Sequence, residues 1–170
     1  MCPHCKSSLR YRDRRKRIMK WYNGEKRLCL LRRLLCDRCR RLHIELPDLL
    51  TPHKHYATEI IENVADEVSS PDDLSTEDYP CERTMQRWSE WIRRNTTQID
   101  GLLRSIGSRF SGLGKEHLDP GDSLFQKLRE EGAGWLAKVN RVIYNSGGWI
   151  PAFLPPGAGA PALSCCPEPS

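Results

Sequence analysis

Two kinds of periodicity divide the chain. The first kind is typical of strands, since Ser8–Ile18 and Lys26–Leu35 contain many residues that favour β-strands. The residues between these runs, Tyr22–Glu25, include Asn-Gly, the dipeptide most typical of a tight hairpin turn. Leu42–Leu46 alternates apolar and polar residues. This pattern predicts a β-hairpin followed by a third strand.

From Pro47 onward the apolar residues recur at helical spacing. One stripe predicts a helix over about Tyr56–Val68, and Ser75–Asp78 has the spacing of a capping box. A stronger amphipathic helix begins near Cys81, with Trp88 on its apolar side. Further stripes predict three more helical pieces, around Ile99–Phe110, Leu124–Leu128 and Trp135–Ile143.

Four of the eight cysteines form two pairs of identical spacing, with 30 residues between the pairs. With two intervening residues, a pair of cysteines forms a tight turn, or knuckle, in which both thiolates face one ion. Two knuckles supply the four sulfur ligands of a tetrahedral site. The predicted hairpin fills the interval between them. We therefore predict a zinc ribbon with one structural Zn²⁺, because four thiolates leave no open position for catalysis. The predicted ligands are Cys2, Cys5, Cys36 and Cys39.

Other interpretations of the cysteines stay open. Two disulfides would require an oxidising compartment, and a redox Cys-x-x-Cys pair normally lies in a βαβ pattern that is absent here. His4 or His43 could replace one ligand. Cys29 and Cys81 are expected to be small buried residues outside the metal site.

The composition suits one ordinary domain or two small ones, with 170 residues, 38% hydrophobic and 29% charged. No window approaches the roughly 18 to 20 apolar residues of a membrane span. The first residues show no secretory signal, so we expect a cytoplasmic protein without a membrane partner.

Charge is distributed unevenly along the chain. Residues 1–50 carry 15 basic against 5 acidic residues, residues 51–79 carry 1 against 8, and the net charge is +5. A block this basic favours a polyanion, so nucleic acid is the expected partner, with an anionic membrane or an acidic partner as the alternative. The predicted phosphate contacts are Arg12, Arg14, Arg15, Lys16 and Arg17.

The helix that begins near Cys81 has an exposed side suited to base recognition. Two helices with a short capped element between them have helix-turn-helix proportions, and Arg and Gln suit guanine and adenine edges in a major groove. We predict that Arg83, Gln86 and Arg87 read bases of duplex DNA. The alternative is an ordinary solvated helix face.

Enzymatic alternatives are less well supported. A DDE-type nuclease needs carboxylates on a β-rich core, whereas the acidic residues between 59 and 78 lie on a helix and a loop, and we interpret them as a solvated face. His53-x-His55-Tyr56 resembles the metal pair and tyrosine of single-strand nickases, but all these residues precede one helix. We prefer a linker that contacts backbone phosphate, and we predict that the protein is not an enzyme.

The motifs CPHC, LLCDRCRRLHIELPDLLTPHKHYATEIIENV, CERTMQRWSEWIRR and GAGWLAKVNRVIYNSGGWI occur in this order. Together they resemble a bacterial family of small zinc-ribbon plus helix-turn-helix proteins, which are associated with mobile genetic elements and are similar to transposase DNA-binding domains. The resemblance implies binding to the ends or promoter of such an element, with recruiting or regulating roles.

The sequence thus predicts a small α+β protein. A zinc ribbon occupies residues 1–50, an all-α domain with a helix-turn-helix residues 51–150, and a disordered Pro/Gly-rich tail residues 151–170. One alternative is an accessory protein that docks on a transposase, a polymerase or a ribonucleoprotein through Trp135, Trp149 and the tail. The other is an RNA-binding protein.

Overall fold

The computed structural model of the chain describes residues 1–72, 80–107 and 122–151. In these ranges a three-stranded antiparallel sheet of order β1-β2-β3 precedes four helices, which confirms the predicted α+β class. The strands are β1 (Leu9–Lys20), β2 (Lys26–Cys36) and β3 (Leu42–Ile44), and the helices are α1 (Thr58–Ala65), α2 (Glu82–Gly107), α3 (Leu124–Glu130) and α4 (Trp135–Asn145).

The hairpin of β1 and β2 forms where the β-favouring residues and the Asn-Gly dipeptide predict it. Gly24 has φ of 72°, a left-handed conformation that favours glycine. The backbone N–H of Glu25 donates to the carbonyl of Tyr22 at 3.2 Å, which closes the turn. The register pairs Ile18 with Leu28. Directly paired residues point to the same face of the sheet, and successive pairs point to opposite faces.

The two faces of this hairpin have different surroundings. On the inner face Met19 and Leu31 are buried in the same cluster as the apolar residues of the helices. We call the opposite side the outer face. According to the register it carries Tyr11, Arg14, Lys16, Ile18 and Lys20 of β1 and Lys26, Leu28, Leu30, Arg32 and Leu34 of β2.

The segment between β3 and α1 joins the sheet to the helices. Leu50 is fully buried, and the ammonium of Lys54 lies 4.7 Å from the ring centroid of Trp91. Tyr56 meets Trp88 edge-on, with ring centroids 4.7 Å apart. Lys54 is only 4% exposed, so it packs inside the protein, and our prediction of a phosphate-contacting linker is wrong for this residue.

Helix α2 differs from the prediction because it is one continuous helix of 26 residues. The apolar stripes beginning near Cys81 and around Ile99–Phe110 predict two separate helices here. Instead the Asn95 side chain donates to the Trp91 carbonyl at 2.7 Å, and the Thr96 hydroxyl donates to the Ile92 carbonyl at 3.0 Å. Because these polar groups bond to the preceding turn of their own helix, they do not interrupt it.

The acidic segment is less solvated than predicted. Glu62 is 4% exposed and accepts hydrogen bonds from the backbone N–H groups of Gly134, at 2.5 Å, and Leu136, at 2.9 Å. Its carboxylate therefore caps the first turn of α4, where a negative charge is favourable. Asp66 accepts from the Trp135 ring N–H at 2.7 Å.

Helix α1 is shorter than the predicted Tyr56–Val68, because Tyr56 pairs with Lys20 at one end and Asp66 already lies in a turn at the other. The predicted capping element at Ser75–Asp78 and the tail after residue 151 lie outside the described residues. No helix in the described ranges combines the length and apolar character needed to cross a bilayer.

Candidate metal centre and basic surface

The two cysteine pairs converge at the end of the sheet opposite the hairpin turn. The sulfur atoms of Cys2, Cys5, Cys36 and Cys39 all lie within 4.8 Å of one another. Cys2 and Cys36 are fully buried, and the other two are partly exposed. The pairing of Leu9 with Cys36 brings the start of β1 beside the end of β2, which sets the first pair against the second.

The two knuckles have the same backbone geometry. The N–H of Lys6 donates to the carbonyl of Cys2 at 2.9 Å, and the N–H of Arg40 donates to the carbonyl of Cys36 at 3.2 Å. Lys6 and Arg40 both adopt left-handed φ angles, 61° and 58°. This repeated turn aims the paired thiols of each knuckle at a common point.

The distances between the sulfurs suit a tetrahedral ion. The Sγ atoms of Cys2 and Cys39 are 3.7 Å apart, and those of Cys5 and Cys36 are 3.4 Å apart. Metal–sulfur bonds of about 2.3 Å in a tetrahedron place neighbouring sulfurs about 3.8 Å apart. The cluster could therefore hold one metal ion with little movement of the side chains.

The electrostatics of the thiols favour a bound cation. Burial raises the pKa of the Cys36 thiol, but the Cys39 backbone N–H and the Cys5 thiol outweigh it and lower the pKa to about 6. The Arg41 backbone N–H lowers the pKa of the Cys39 thiol, but burial and the neighbouring cysteines raise it to about 11. The four thiols cannot all ionise readily in such a small space unless a cation offsets their charge.

His43, which the sequence offered as a possible replacement ligand, lies beside the cluster. It lies on β3 opposite Leu34, and its Nε2 atom is 3.3 Å from the Sγ atom of Cys2. Burial, together with the charge of Arg41, lowers the pKa of His43, which favours the neutral ring. With the proton on Nε2, the ring can donate a hydrogen bond to the Cys2 thiolate. Because the four cysteines complete the ligand set, His43 would hydrogen-bond to a ligand and would not bind the ion itself.

The first knuckle packs against the turn that follows α4. Gly147 has φ of 86°, and a Cβ atom added there would lie 2.7 Å from the Cβ atom of Pro3. The side chain of Asn145 also accepts from the backbone N–H of Leu46 at 3.3 Å. The Gly-Gly pair after the last apolar stripe was the only sequence signal for this contact.

The predicted phosphate contacts divide between the two faces of the hairpin. Arg14 and Lys16 point to the outer face, and Arg15 points to the inner side, although all three are exposed. None of these three forms an ion pair with a residue that the structure describes. Arg12 lies at a bulge in β1, with its Nε atom 3.7 Å from a carboxylate oxygen of Asp13.

Arg17 has a different environment from its neighbours. Its guanidinium donates to the backbone carbonyl of Lys54 at 2.5 Å and reaches that of Thr51 at 3.4 Å. These contacts tie β1 to the segment before α1. Its predicted phosphate contact would require the guanidinium to leave both carbonyls, so we leave Arg17 out of the proposed interface.

The three predicted base-reading residues lie together on the exposed side of α2, near its start. Arg83, Gln86 and Arg87 are exposed, while Trp88 on the opposite side is buried. The Gln86 amide donates to the Glu82 carboxylate at 2.8 Å. Neither arginine pairs with a carboxylate in the described ranges. Their role in base reading stays a prediction.

Of the two tryptophans assigned to the accessory-protein alternative, only one is available. Trp135 is fully buried, so it cannot contact a partner, whereas Trp149 is 64% exposed.

Comparison with known proteins gives one match. The family model described as "Domain of unknown function (DUF6431)" matches residues 2–88, which is half of the chain. The match contains both knuckles, the hairpin, the segment between β3 and α1, and the first turns of α2. It therefore includes every predicted site residue. No curated protein and no solved structure matches the chain.

Proposed function

We propose that this chain, which belongs to the DUF6431 family, is a non-catalytic, zinc-stabilised protein that binds duplex DNA. Two features support the proposal: the compact thiol cluster and the surplus of unpaired cations on the sheet that the cluster anchors. The second observation carries the function, since the first gives only a stable scaffold.

Zinc is the metal that suits the donor set best. Four thiolates form a soft, negatively charged, tetrahedral site, and such sites select zinc or iron in cytoplasmic proteins. With four protein ligands a zinc ion keeps no open position for water or substrate. The ion is therefore assigned a structural role, holding together a hairpin whose apolar contacts are few.

The cations of the hairpin suit phosphate because they have few carboxylates nearby. The one acidic residue of β1 is Asp13. Its carboxylate accepts two hydrogen bonds from the guanidinium of Arg33, one from Nε and one from a terminal nitrogen. Within the described part of the chain this leaves a set of exposed cations that form no ion pair. Those on the hairpin are Arg14, Arg15, Lys16 and Lys26, and those in or beside the knuckles are Lys6, Arg38, Arg40 and Arg41. Each such cation near a phosphate would release condensed counterions.

We propose duplex DNA rather than RNA as the ligand because of the residues on helix α2. Its exposed side offers Arg83, Gln86 and Arg87, the residue types that read guanine and adenine in a major groove. Helix α1 packs against α2, as a helix-turn-helix requires. We propose that α2 supplies base readout and the hairpin supplies phosphate contacts.

The biological setting follows from the resemblance to mobile-element proteins. We assign the chain a role at the ends or promoter of such an element, in the cytoplasm, where it recruits or regulates a transposase or another element-encoded protein.

Binding assays with three nucleic acids over a salt series test the proposal. We expect the protein to bind duplex DNA more tightly than single-stranded DNA or structured RNA. The logarithm of the affinity should fall linearly with the logarithm of the salt concentration. A preference for structured RNA would favour the RNA-binding alternative. No binding at 50 mM salt would leave the accessory-protein alternative, for which exposed Trp149 is the remaining candidate contact.

A further inference from the structure

The outer face of the hairpin exposes an aliphatic patch. Ile18, Leu28 and Leu30 are 56%, 61% and 48% exposed. Ile18 lies directly opposite Leu28. The next pair on the same face is Lys16 and Leu30, so the three aliphatic side chains are neighbours. Scattered single aliphatic residues are ordinary on a surface, whereas a contiguous group marks an interaction site.

The helices do not cover this patch, because they pack on the inner face. Met19 and Leu31, which point to the inner side, are 3% and 4% exposed and belong to the shared apolar cluster. Ile18, Leu28 and Leu30 belong neither to this cluster nor to the partly buried residues packed against it.

Cations flank the patch at both ends. The pair Arg14–Arg32 lies on one side of it and the pair Lys20–Lys26 on the other, with Lys16 between them. Neither strand directs an acidic side chain to this face; the nearby Glu45, on the chain after β3, pairs with Arg32 at 3.1 Å. A partner of this face must therefore be an anion that also accepts aliphatic side chains.

A DNA minor groove meets both conditions. Its walls carry phosphates, and its interior offers the apolar faces of sugars and base steps. Proteins that bind there combine basic residues with aliphatic wedges that partly unstack a base step and bend the duplex. A two-stranded ribbon of this kind, about 20 Å long between the flanking cation pairs at roughly 3.3 Å per residue, covers about six base pairs.

We infer that the outer face binds a minor groove and bends the DNA, with Ile18, Leu28 and Leu30 as the wedge. This inference rests on the proposed DNA binding and adds a second contact mode to it. The apolar wedge supplies affinity that does not depend on salt, while the cation pairs supply the part that does.

The test compares the parent with a variant that removes the wedge and keeps the charge. In this variant Ile18→Thr, Leu28→Thr and Leu30→Thr are combined, because threonine retains the β-strand preference. Leu49→Thr is the matched control, since Leu49 is 52% exposed but lies outside the hairpin. The readouts are affinity, salt slope and end-to-end energy transfer in a labelled 30-base-pair duplex with an A·T-rich centre. Metal content and circular dichroism check the fold.

We expect the parent and the Leu49 control to shorten the end-to-end distance of the duplex. The triple variant should bind about 10- to 100-fold more weakly and leave the DNA straight, with an unchanged salt slope. Equal affinity and equal bending by the triple variant would overturn the inference while leaving DNA binding intact. Failure of the parent to bind any duplex would instead overturn the proposed function. Sedimentation with phosphatidylglycerol vesicles is measured in parallel. If the triple variant loses only vesicle binding and keeps DNA binding and bending, the patch faces a membrane surface and the inference is also overturned.

Discussion

The middle of strand β1 and the later turns of helix α2 use their charged residues in opposite ways. In α2 the hydrogen bonds from Arg93 and Arg94 lower the pKa of Glu90 to about 2, and Asp100 accepts from Arg104 at 2.8 Å. These pairs lie three or four residues apart and stabilise the helix locally. Charge in this part of α2 is used within the helix.

Among the described residues, five hairpin cations pair with carboxylates, but three consecutive ones do not. Arg14, Arg15 and Lys16 follow one another on β1, and no described carboxylate pairs with them. Their mutual repulsion destabilises the folded hairpin. An external anion that binds these cations would remove the repulsion. This difference from α2 favours the hairpin as the binding surface.

The two regions also differ in what holds them together. The helices fully bury large side chains such as Trp135, Leu136 and Ile99, whereas the strands of the hairpin contribute chiefly Met19 and Leu31 to the shared cluster. A three-stranded sheet with one covered face has a small apolar core. We therefore expect the hairpin to depend on metal and the helices on packing.

The largest expected effect comes from removing a metal ligand. Cys36→Ser should abolish binding of the single metal ion and unfold the hairpin, because structural zinc contributes about 10 to 16 kcal/mol of apparent binding free energy. Elemental analysis and circular dichroism would measure both losses. Cys29→Ser is the control, since Cys29 lies on β2 outside the cluster and should leave the metal content unchanged. Full metal content in Cys36→Ser would contradict the assignment.

The next effect concerns packing in the helices. Trp88 is 3% exposed and contacts Tyr56, so Trp88→Ala should lower the free energy of unfolding by about 3 to 5 kcal/mol. Trp149→Ala should change it by less than about 0.5 kcal/mol, because that side chain is mostly solvent-exposed. Urea denaturation followed by circular dichroism gives both values, and similar losses for the two variants would show that Trp88 is not a core residue.

A third variant tests the contact between the two regions. Gly147→Ala introduces a methyl group 2.7 Å from the Cβ atom of Pro3 and strains a left-handed backbone. We expect a loss of about 1 to 3 kcal/mol in unfolding free energy. Gly101→Ala on exposed α2, where a Cβ meets no other atom within 4 Å, should instead add about 0.5 to 1 kcal/mol. Thermal unfolding of the two variants should thus shift in opposite directions, and a stabilised Gly147→Ala would rule out this docking.

The smallest effect concerns the metal centre. His43→Ala should weaken metal affinity by about 10- to 100-fold, because its hydrogen bond to the Cys2 sulfur is lost. His4→Ala, in the exposed part of the first knuckle, should have little effect. Competition with a chromophoric chelator measures both, and equal affinities would remove His43 from the account of the centre.

The sequence was most informative where a rule links residue type to a single geometry. The spacing of Cys2, Cys5, Cys36 and Cys39 and the Asn-Gly turn require strands of nearly equal length between the knuckles. The structure has β1 and β2 at these positions. Apolar stripes likewise located α3 and α4, because their periodicity is uninterrupted.

The sequence was less informative where a long-range contact decides the role of a residue. Arg17 resembles its basic neighbours in the sequence, but two carbonyls of the segment before α1 accept from it. Glu62 was predicted to be solvated, and only the position of α4 shows that it is a helix cap. The stripes around Trp88 and Ile99 predicted two helices, whereas hydrogen bonds such as that from Asn95 to the Trp91 carbonyl accompany one continuous α2.

The most direct test of the central claim is the salt dependence of duplex DNA binding by a hairpin variant that combines Arg14→Ala, Arg15→Ala and Lys16→Ala. A companion variant on α2 combines Arg83→Ala, Gln86→Ala and Arg87→Ala. If the hairpin contacts phosphate, its variant should bind all sequences more weakly. Its slope of log affinity against log salt should become shallower by about 0.9 per lost contact, and the α2 variant should mainly lose sequence preference. A hairpin variant that keeps the parent's slope would contradict the account.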